Sequence, residues 1–274
     1  MKMRFLSGIV TLGLFVAASS DARPASELVA SGTDSEKGEA IIRELATRNT
    51  GYRDFSSAVE MVLRDGSGSE AKRKFSLKVL ERPSANLGDQ VLIVFESPAD
   101  VKGTALLSHT KLDEDDEQWV FLPASKRTKR VSSSNKTSAF AGSEFSYEDL
   151  SGNEVRKYAW RLGGTTPCGA GLECFKLEAT PKDKTSAYSK RVLLLDTAEL
   201  RVMATEFYDR AGAKTKTLAY DGYTKLANKF WRAQTWTMTN HQTAKSTVLT
   251  FSKLAVQSGL SAGDFAAGKL GDAR

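Results

Sequence analysis

The sequence predicts a mainly β protein with a few helices, built around one large antiparallel sheet. Short stretches of alternating apolar and polar residues recur along the chain, as at Phe75, Leu77 and Val79, and again at Trp236 and Met238. A period of two places one set of side chains on a buried face and the other in water. Residues typical of catalysis are sparse, with only two histidines in 274 residues. The interior of the sheet is therefore a better candidate for function than a reactive group, which favours a carrier or a binding protein.

Thirteen strands are predicted to follow one helix. The helix is expected around residues 40–46, where apolar residues recur at helical spacing ahead of Gly51. The strands are expected at residues 59–64, 75–80, 91–95, 105–112, 119–122, 126–131, 158–162, 175–180, 188–195, 201–208, 215–223, 232–240 and 247–254. The turn Asp65-Gly66-Ser67-Gly68 between the first two is a strong hairpin signal. Every position from Val91 to Phe95 is apolar, so both faces of that strand are expected to be covered.

The chain is expected to be exported and to form one domain. Lys2 and Arg4 precede an apolar stretch from Phe5 to Ala18, which is shorter than the roughly 20 residues of a membrane span. Residues 1–22 are therefore interpreted as a cleaved signal peptide, with an uncleaved amphipathic anchor as the alternative. Residues 23–36 are small and polar, as in a flexible lead, and residues 37–274 are long enough for a single β-rich domain.

Charge and cysteine content narrow the function classes. The 39 lysines and arginines exceed the 33 acidic residues only slightly, which suits contact with anionic lipid or an acidic partner. Nucleic acid is set aside because an exported protein rarely meets it. Cys168 and Cys174 are expected to form a disulfide across a hairpin in an oxidising compartment. His109 and His241 are scattered and provide no tight ligand pair, so neither a metal site nor a cofactor is expected.

Three groups of residues are candidates for binding. Aromatic and apolar strand positions line a cavity or form plain core; they are Phe75, Leu77, Val79, Trp119, Phe121, Trp160, Trp231, Trp236 and Met238. Phe140, Phe145 and Tyr147 alternate with acidic residues at roughly helical spacing, which is typical of an amphipathic plug over a barrel mouth or of ordinary packing. Arg127 and Arg130 belong to a basic strand that protects a sheet edge or forms a rim for anionic headgroups.

No motif of a known enzyme class is present. The sequence lacks the G-x-S-x-G elbow, the H-E-x-x-H zinc motif, the P-loop and the Rossmann glycine pattern. Ser143 follows Gly142 without the second glycine of an elbow, and neither His109 nor His241 has a nearby carboxylate in the sequence. We therefore expect no enzymatic activity. A hydrolase with a spatially assembled site is the weakest of the hypotheses.

Several segments together resemble the bacterial outer-membrane lipoprotein-sorting proteins of the LolA-like group. The most specific ones are Gln118–Pro123, with Arg127 and Arg130 following, and Phe140–Leu150. Two later segments, Glu206–Asp209 and Trp236–Asn240, are also similar to that family.

The resemblance implies a periplasmic protein of a Gram-negative bacterium with a LolA/LolB-like open antiparallel half-barrel, whose helices cover the concave face. That face is then expected to bind lipid or lipoprotein acyl chains through Phe75, Leu77, Val79, Trp119, Phe121, Phe140, Phe145, Tyr147, Trp236 and Met238. The implied partners are an inner-membrane transporter and an outer-membrane acceptor, met by a monomer through a rim at Arg127 and Arg130. The alternative hypothesis is an envelope scaffold that carries no cargo.

Overall fold

The computed structural model describes residues 23–82, 87–132, 135–150 and 155–273, and these ranges contain two helices and thirteen strands. The helices are α1 (Ala25–Leu28) and α2 (Asp34–Arg48). The strands are β1 (Asp54–Arg64), β2 (Glu70–Leu80), β3 (Leu87–Ser97), β4 (Ala105–Lys111), β5 (Glu117–Leu122), β6 (Arg127–Arg130), β7 (Tyr158–Pro167), β8 (Glu173–Pro181), β9 (Tyr188–Asp196), β10 (Val202–Asp209), β11 (Lys214–Leu226), β12 (Phe230–Asn240) and β13 (Ser246–Val256). All thirteen predicted strands are thereby confirmed. The predicted signal peptide, residues 1–22, lies outside the described residues.

The strands form one open, half-barrel-like sheet in the order β6-β5-β4-β3-β2-β1-β13-β12-β11-β10-β9-β8-β7. Short turns such as Asp65–Gly68 join successive strands, and a turn of this length permits only antiparallel neighbours. The two meanders, β1–β6 and β7–β13, meet where Met61 of β1 pairs with Leu249 of β13. β6 and β7 form the two edges of the sheet.

Helix α2 is longer than the sequence predicted. Thr33 caps it, because its side chain accepts a hydrogen bond from the Glu36 N–H while the Glu36 carboxylate accepts one from the Thr33 N–H. Residues 23–36 are not a simple flexible lead: they contain α1 and the first turn of α2. Leu28 of α1 is only 4% exposed, since it packs into the apolar cluster beneath α2. None of the helices in the described part of the chain combines the length and the apolar character needed to cross a membrane.

One face of the sheet, here called the inner face, carries the largest apolar cluster. Residues paired directly across strands point to the same face. Its buried strand residues are Val59, Met61, Phe75, Ile93, Phe95, Leu106, Tyr188, Phe207, Leu218, Met238, Leu249 and Phe251. A row of directly paired residues continues this face from β11 to β7, namely Leu218, Thr205, Leu193, Leu177 and Leu162. Because α2 packs on Leu162, Leu177 and Leu193, it lies on the inner face at the β7–β9 end.

The middle of the inner face is covered by residues 140–150, here called the strap. The strap contains two short 3₁₀ turns, Phe140–Gly142 and Glu148–Leu150, and no continuous helix. Ala141 and Gly142 both have positive φ (49° and 68°), which a continuous helix does not accommodate. The aromatic residues of the strap point into the sheet: Phe140 is 4% and Phe145 is 1% exposed.

Buried charges fasten the strap to β9. The guanidinium of Arg191 lies 3.6 Å from a Glu148 oxygen and 3.8 Å from an Asp149 oxygen. The Tyr188 hydroxyl donates to Asp149 at 3.0 Å, and the Ala187 N–H donates to Glu148 at 3.0 Å. The acidic residues of the strap therefore bind to the sheet and do not form a solvated helix face.

The opposite, outer face is covered near the β6 edge by the C-terminal residues. Two 3₁₀ turns, Ala262–Phe265 and Ala267–Asp272, place Phe265 and Leu270 against Leu92 and Leu107. This explains the uninterrupted apolar run of β3, since Ile93 and Phe95 face the inner cluster while Leu92 and Val94 face the C-terminal turns. The prediction that both faces of this strand are covered is confirmed.

The two cysteines form the expected disulfide. Cys168 and Cys174 are joined across the turn between β7 and β8, with their Cα atoms 5.8 Å apart. The bond closes one hairpin next to the sheet edge and leaves no free cysteine in the part of the chain that the structure describes.

Candidate functional site

A cavity of about 900 Å³ opens between the C-terminal half of α2 and strands β10–β12. Its lining combines apolar and aromatic residues with polar and charged ones. From α2 and its end come Glu44, Leu45, Thr47, Arg48 and Asn49, from the β9–β10 turn come Glu199, Leu200, Arg201 and Val202, and from β11–β12 come Tyr220, Tyr223, Lys225, Asn228, Lys229, Trp231, Arg232, Ala233 and Trp236. Ligand pockets typically have volumes of roughly 300–1,000 Å³ and such a largely apolar lining.

Two aromatic pairs form the sheet side of the cavity. Tyr220 and Trp236 meet edge to face with ring centroids 5.3 Å apart, and Tyr223 and Trp231 do so at 6.5 Å. All four rings are only partly buried. Desolvation by burial raises the pKa of Tyr220 to about 12, so its hydroxyl stays neutral. The sheet therefore presents uncharged aromatic surface to whatever enters the cavity.

The β9–β10 turn shapes the floor of the cavity. Asp196 is buried and accepts hydrogen bonds from the N–H groups of Glu199 and Arg201, both at 2.8 Å, and from the Arg201 Nε at 2.8 Å. These bonds hold Leu200 in a left-handed conformation with φ 58°. Leu200 is consequently fully buried beneath the cavity.

Three of the cations at the cavity have carboxylate partners. Arg48 pairs with Glu44 at 2.9 Å, Arg201 with Asp196 at 2.8 Å, and Lys225 with Glu199 at 3.8 Å.

The other two cations, Lys229 and Arg232, make different contacts. Lys229 donates to the Thr50 carbonyl at 3.1 Å. Arg232 donates from Nη1 to the Asn49 side chain and to the Trp231 carbonyl, each at 2.8 Å. At the end where α2 stops, the two cations are therefore bound to neutral hydrogen-bond acceptors.

Among the residues predicted to bind cargo, Trp236 lines this cavity. Trp231, the other aromatic candidate on β12, lines it as well. Trp160 instead packs under α2 at 3% exposure. Met238 is fully buried in the inner cluster and contributes to the core.

The space expected beneath residues 140–150 is filled. Phe75 contacts Phe95 with ring centroids 5.4 Å apart, and Phe140 of the strap lies 5.7 Å from Phe95. Tyr147 packs on Phe140 at 5.7 Å, and Phe145 is buried in the same cluster.

Two further predicted residues on β2 also pack into apolar clusters. Leu77 and Val79 pack against the rings of Phe55 and Phe230. The structure thus brings Phe75, Phe140, Phe145, Tyr147 and Met238 together in the inner cluster. Leu77 packs against both this cluster and the cluster around Phe55 and Phe230, whereas Val79 packs against the latter.

Trp119 and Phe121 lie on the outer face, away from the other predicted residues. Trp119 pairs with Leu107, which belongs to the cluster under the C-terminal turns. Phe121 likewise packs in that cluster. Because the inner and outer faces are separated by the sheet itself, these two rings do not contribute to the same cavity as Trp236.

The basic strand forms a sheet edge, as one of its two interpretations predicted. Arg127 and Arg130 belong to β6, whose four residues are all exposed, and Arg130 pairs with Glu117 at 3.0 Å. Six strands separate β6 from β12 in the sheet order. Arg127 and Arg130 are therefore not the rim of the cavity; Lys225, Lys229 and Arg232 are the cations near it.

The three residues considered for a hydrolase bind separate partners. The Ser143 hydroxyl donates to the Phe140 carbonyl at 2.7 Å within the strap. His109 Nε2 lies 2.8 Å from the Phe265 carbonyl, and His241 Nε2 lies 2.8 Å from the Thr217 hydroxyl. Each of these contacts satisfies a polar group locally.

Comparison with known proteins places the chain among solved relatives. A family model described as uncharacterized protein matches residues 88–272. A domain provisionally named as an outer membrane lipoprotein-sorting protein, from Vibrio parahaemolyticus, is 43% identical, with a TM-score of 0.83, covering 86% of this chain and 99% of the other. A DUF1329 family protein from Desulfovibrio piger is 28% identical, with a TM-score of 0.81, covering 87% of this chain and 100% of the other.

A more distant relative shares the fold. A LolA superfamily protein from Nitrosomonas europaea is 19% identical, with a TM-score of 0.65, and the match covers 84% of this chain and 97% of that chain. No curated protein matches the chain at a significant level.

Proposed function

The chain belongs to the family of LolA-like outer membrane lipoprotein-sorting proteins, and from this membership we propose that it is a periplasmic carrier that shelters the acyl chains of a lipid or lipoprotein. The observation that carries the proposal is the cavity of about 900 Å³ between α2 and β10–β12. Burying a methylene of an acyl chain away from water is worth about 0.8 kcal/mol, so the binding free energy would grow with the length of chain that the apolar lining covers. Transfer toward the outer membrane, or to and from an inner-membrane exporter, then requires reversible binding and no reacting group.

The site of cargo is the cavity under α2 and not the packed interior under the strap. Trp231 and Trp236 provide partly exposed rings at this site, whereas Phe140 and Phe145 fill the space beneath the strap. The basic edge strand β6, with Arg127 and Arg130, is proposed to meet a membrane or a partner protein at a distance from the cargo.

The four tryptophans allow the proposal to be tested by quenching. In variants that keep one tryptophan and replace the others by phenylalanine, a lipid with a brominated acyl chain should quench Trp231 and Trp236 on binding. Trp119, on the outer face, is the matched control and should stay unquenched. Native mass spectrometry of protein exported to the periplasm should also reveal co-purifying lipid.

The alternative function, an envelope scaffold without cargo, is favoured by one observation. Phe140 and Phe145 fill the inner face beneath the strap and are as buried as ordinary core residues. A scaffold predicts that brominated lipid leaves all four tryptophans unquenched and that the exported protein carries no lipid. Both results together would remove the carrier proposal.

A further inference from the structure

Arg232 is a half-buried cation at the cavity wall, and it has no ion-pair partner within 4.0 Å among the described residues. Both of its hydrogen bonds leave from Nη1 and go to neutral acceptors, the Asn49 side chain and the Trp231 carbonyl. The described part of the chain provides no hydrogen-bond partner for Nε and Nη2. These two nitrogen atoms are therefore available to an anion that enters the cavity.

The acidic groups that face Arg232 are already engaged by other donors. Asp89 accepts a hydrogen bond from the Tyr52 hydroxyl at 2.5 Å. Glu81 accepts from the N–H groups of Gly51 and Arg53, each at 2.8 Å. They influence Arg232 through the longer-range field alone, while burial lowers the pKa of the guanidinium. The group stays charged, because an arginine does not deprotonate in proteins.

Three aromatic rings hold the guanidinium in place. The Arg232 Cζ lies 5.2 Å from the Tyr52 ring centroid and 5.9 Å from those of Phe55 and Phe230. Packing of this kind fixes the planar fork in advance, so little side-chain freedom is lost when an anion binds.

Lys229 supplies a second positive charge on the same side of the cavity. Its ammonium group lies 5.0 Å from the Phe230 ring centroid and donates to the Thr50 carbonyl, which is neutral. Arg48, Arg201 and Lys225 are neutralised by carboxylates. Within the described ranges, Arg232 and Lys229 are therefore the cavity cations without an ion-pair partner within 4.0 Å, and they line the same cavity as Trp231 and Trp236.

We propose that the ligand of this cavity is an amphiphile with an anionic head group, whose carboxylate or phosphate is bound by Arg232 and Lys229 while its hydrocarbon chain lies against Trp231 and Trp236. The inference rests on the proposed carrier function and specifies the class of its cargo. Charge-assisted hydrogen bonds from a guanidinium fork to a carboxylate or phosphate are the strong contacts in such a site.

The experiment compares ligands with one acyl chain and different head groups. Binding of oleate, oleoyl lysophosphatidylglycerol and neutral monoolein to the mature protein is measured by tryptophan fluorescence titration. At least one anionic ligand should bind roughly tenfold or more tightly than monoolein. Preference for oleate indicates a carboxylate ligand, and preference for the lysophospholipid indicates a phosphate ligand; either result supports the proposal.

Variants identify the residue that reads the head group. Arg232→Met should abolish the preference for anionic ligands while monoolein still binds, and Arg232→Lys should retain part of it. Lys229→Met tests the same site at an exposed position where folding is not at stake, and it should reduce the preference several-fold. Arg43→Met, an exposed change on α2 outside the cavity, should leave the preference unchanged.

The outcomes separate the two proposals. If the wild-type protein binds monoolein as tightly as both anionic ligands, the head-group inference is wrong and the carrier function stands. If Arg232→Met and Lys229→Met weaken all ligands equally, these residues act structurally and the inference is again wrong. If no amphiphile binds the wild-type protein, the carrier function itself fails.

Discussion

At the scale of single residues, Asp196 contributes most to the local shape of the cavity. Its side chain is 1% exposed and ion-pairs with Arg201, while its oxygens also accept N–H bonds from the turn that carries Leu200. A buried carboxylate with this many donors organises the backbone around it, because each donor would otherwise be left without a partner. The shape of the cavity floor therefore depends on the negative charge of Asp196.

Replacement of this carboxylate should destabilise the protein measurably. Asp196→Asn keeps the size of the side chain but removes the negative charge opposite Arg201, and the expected loss is about 1–3 kcal/mol of unfolding free energy. Urea denaturation measures it. Asp221→Asn, at an exposed aspartate of β11, is the control and should change stability by less than about 0.5 kcal/mol. Equal effects of the two variants would contradict the role assigned to Asp196.

The stability lost in Asp196→Asn should also depend on pH. Burial opposes ionisation of Asp196, but hydrogen bonds from Glu199 and Arg201 outweigh it and keep the pKa of the carboxyl below its ordinary value. A group with a lowered folded-state pKa stabilises fully above its unfolded pKa of about 3.9 and loses that contribution as pH falls through the folded-state pKa. The stability difference between wild type and Asp196→Asn should therefore be constant near neutral pH and shrink in strong acid.

Other residues of the site differ in how far the sequence revealed them. Trp231 and Trp236 could be proposed as cavity residues, since aromatic side chains in strands are either core or lining. Arg232 could not, because a lone arginine in a strand normally indicates a solvated position. Its environment depends on Asn49, which is 183 residues away in the chain, and no local pattern encodes such a contact.

At the scale of elements, the strap shows how a helical spacing pattern can be misleading. Its aromatic and acidic residues recur at roughly helical spacing, which is typical of an amphipathic plug or of ordinary packing. In the structure both kinds of side chain face the protein, because Glu148 and Asp149 meet the buried Arg191. The sequence of the strap alone does not predict that its acidic residues pair with a buried cation on another strand.

Removal of this cation should loosen the strap. Arg191→Met leaves Glu148 and Asp149 buried without their positive partner, and the expected cost is about 3–5 kcal/mol. Thermal or urea unfolding measures it, and hydrogen exchange should show the strap losing protection first. Arg161→Met, which breaks an exposed pair with Glu178, is the control and should cost at most about 1 kcal/mol.

A triple variant distinguishes charge burial from simple packing. When Glu148→Gln and Asp149→Asn accompany Arg191→Met, no unpaired charge remains, and much of the lost stability should return. If the triple variant is less stable than Arg191→Met alone, the ion pairs do not explain the attachment of the strap.

At the scale of the whole molecule, the positions of all thirteen strands could be predicted but their relative faces could not. Alternation assigns side chains within one strand to two faces, yet it does not state which face of one strand continues the face of the next. Residues 91–95 of β3 are all apolar, so their sequence does not show which side of the strand belongs to which face. The sequence therefore does not distinguish Trp119 and Phe121, which lie on the outer face, from Phe75 on the inner face. The position of the cavity could therefore not be predicted without knowing how distant strands pair.

The same register predicts that both meanders unfold together. β1 pairs with β13 from Phe55 to Arg64, and the inner cluster draws residues from both meanders, so neither half retains its core without the other. A variant with Trp119 as its sole tryptophan reports on the β1–β6 meander, and one with Trp236 alone reports on β7–β13. Both should unfold in urea at the midpoint seen by far-ultraviolet circular dichroism, once each variant's own stability is taken into account. The variant Trp160→Phe with Trp231→Phe keeps both Trp119 and Trp236. Two separate unfolding transitions in its tryptophan fluorescence would show that the sheet is two folding units joined at β1 and β13.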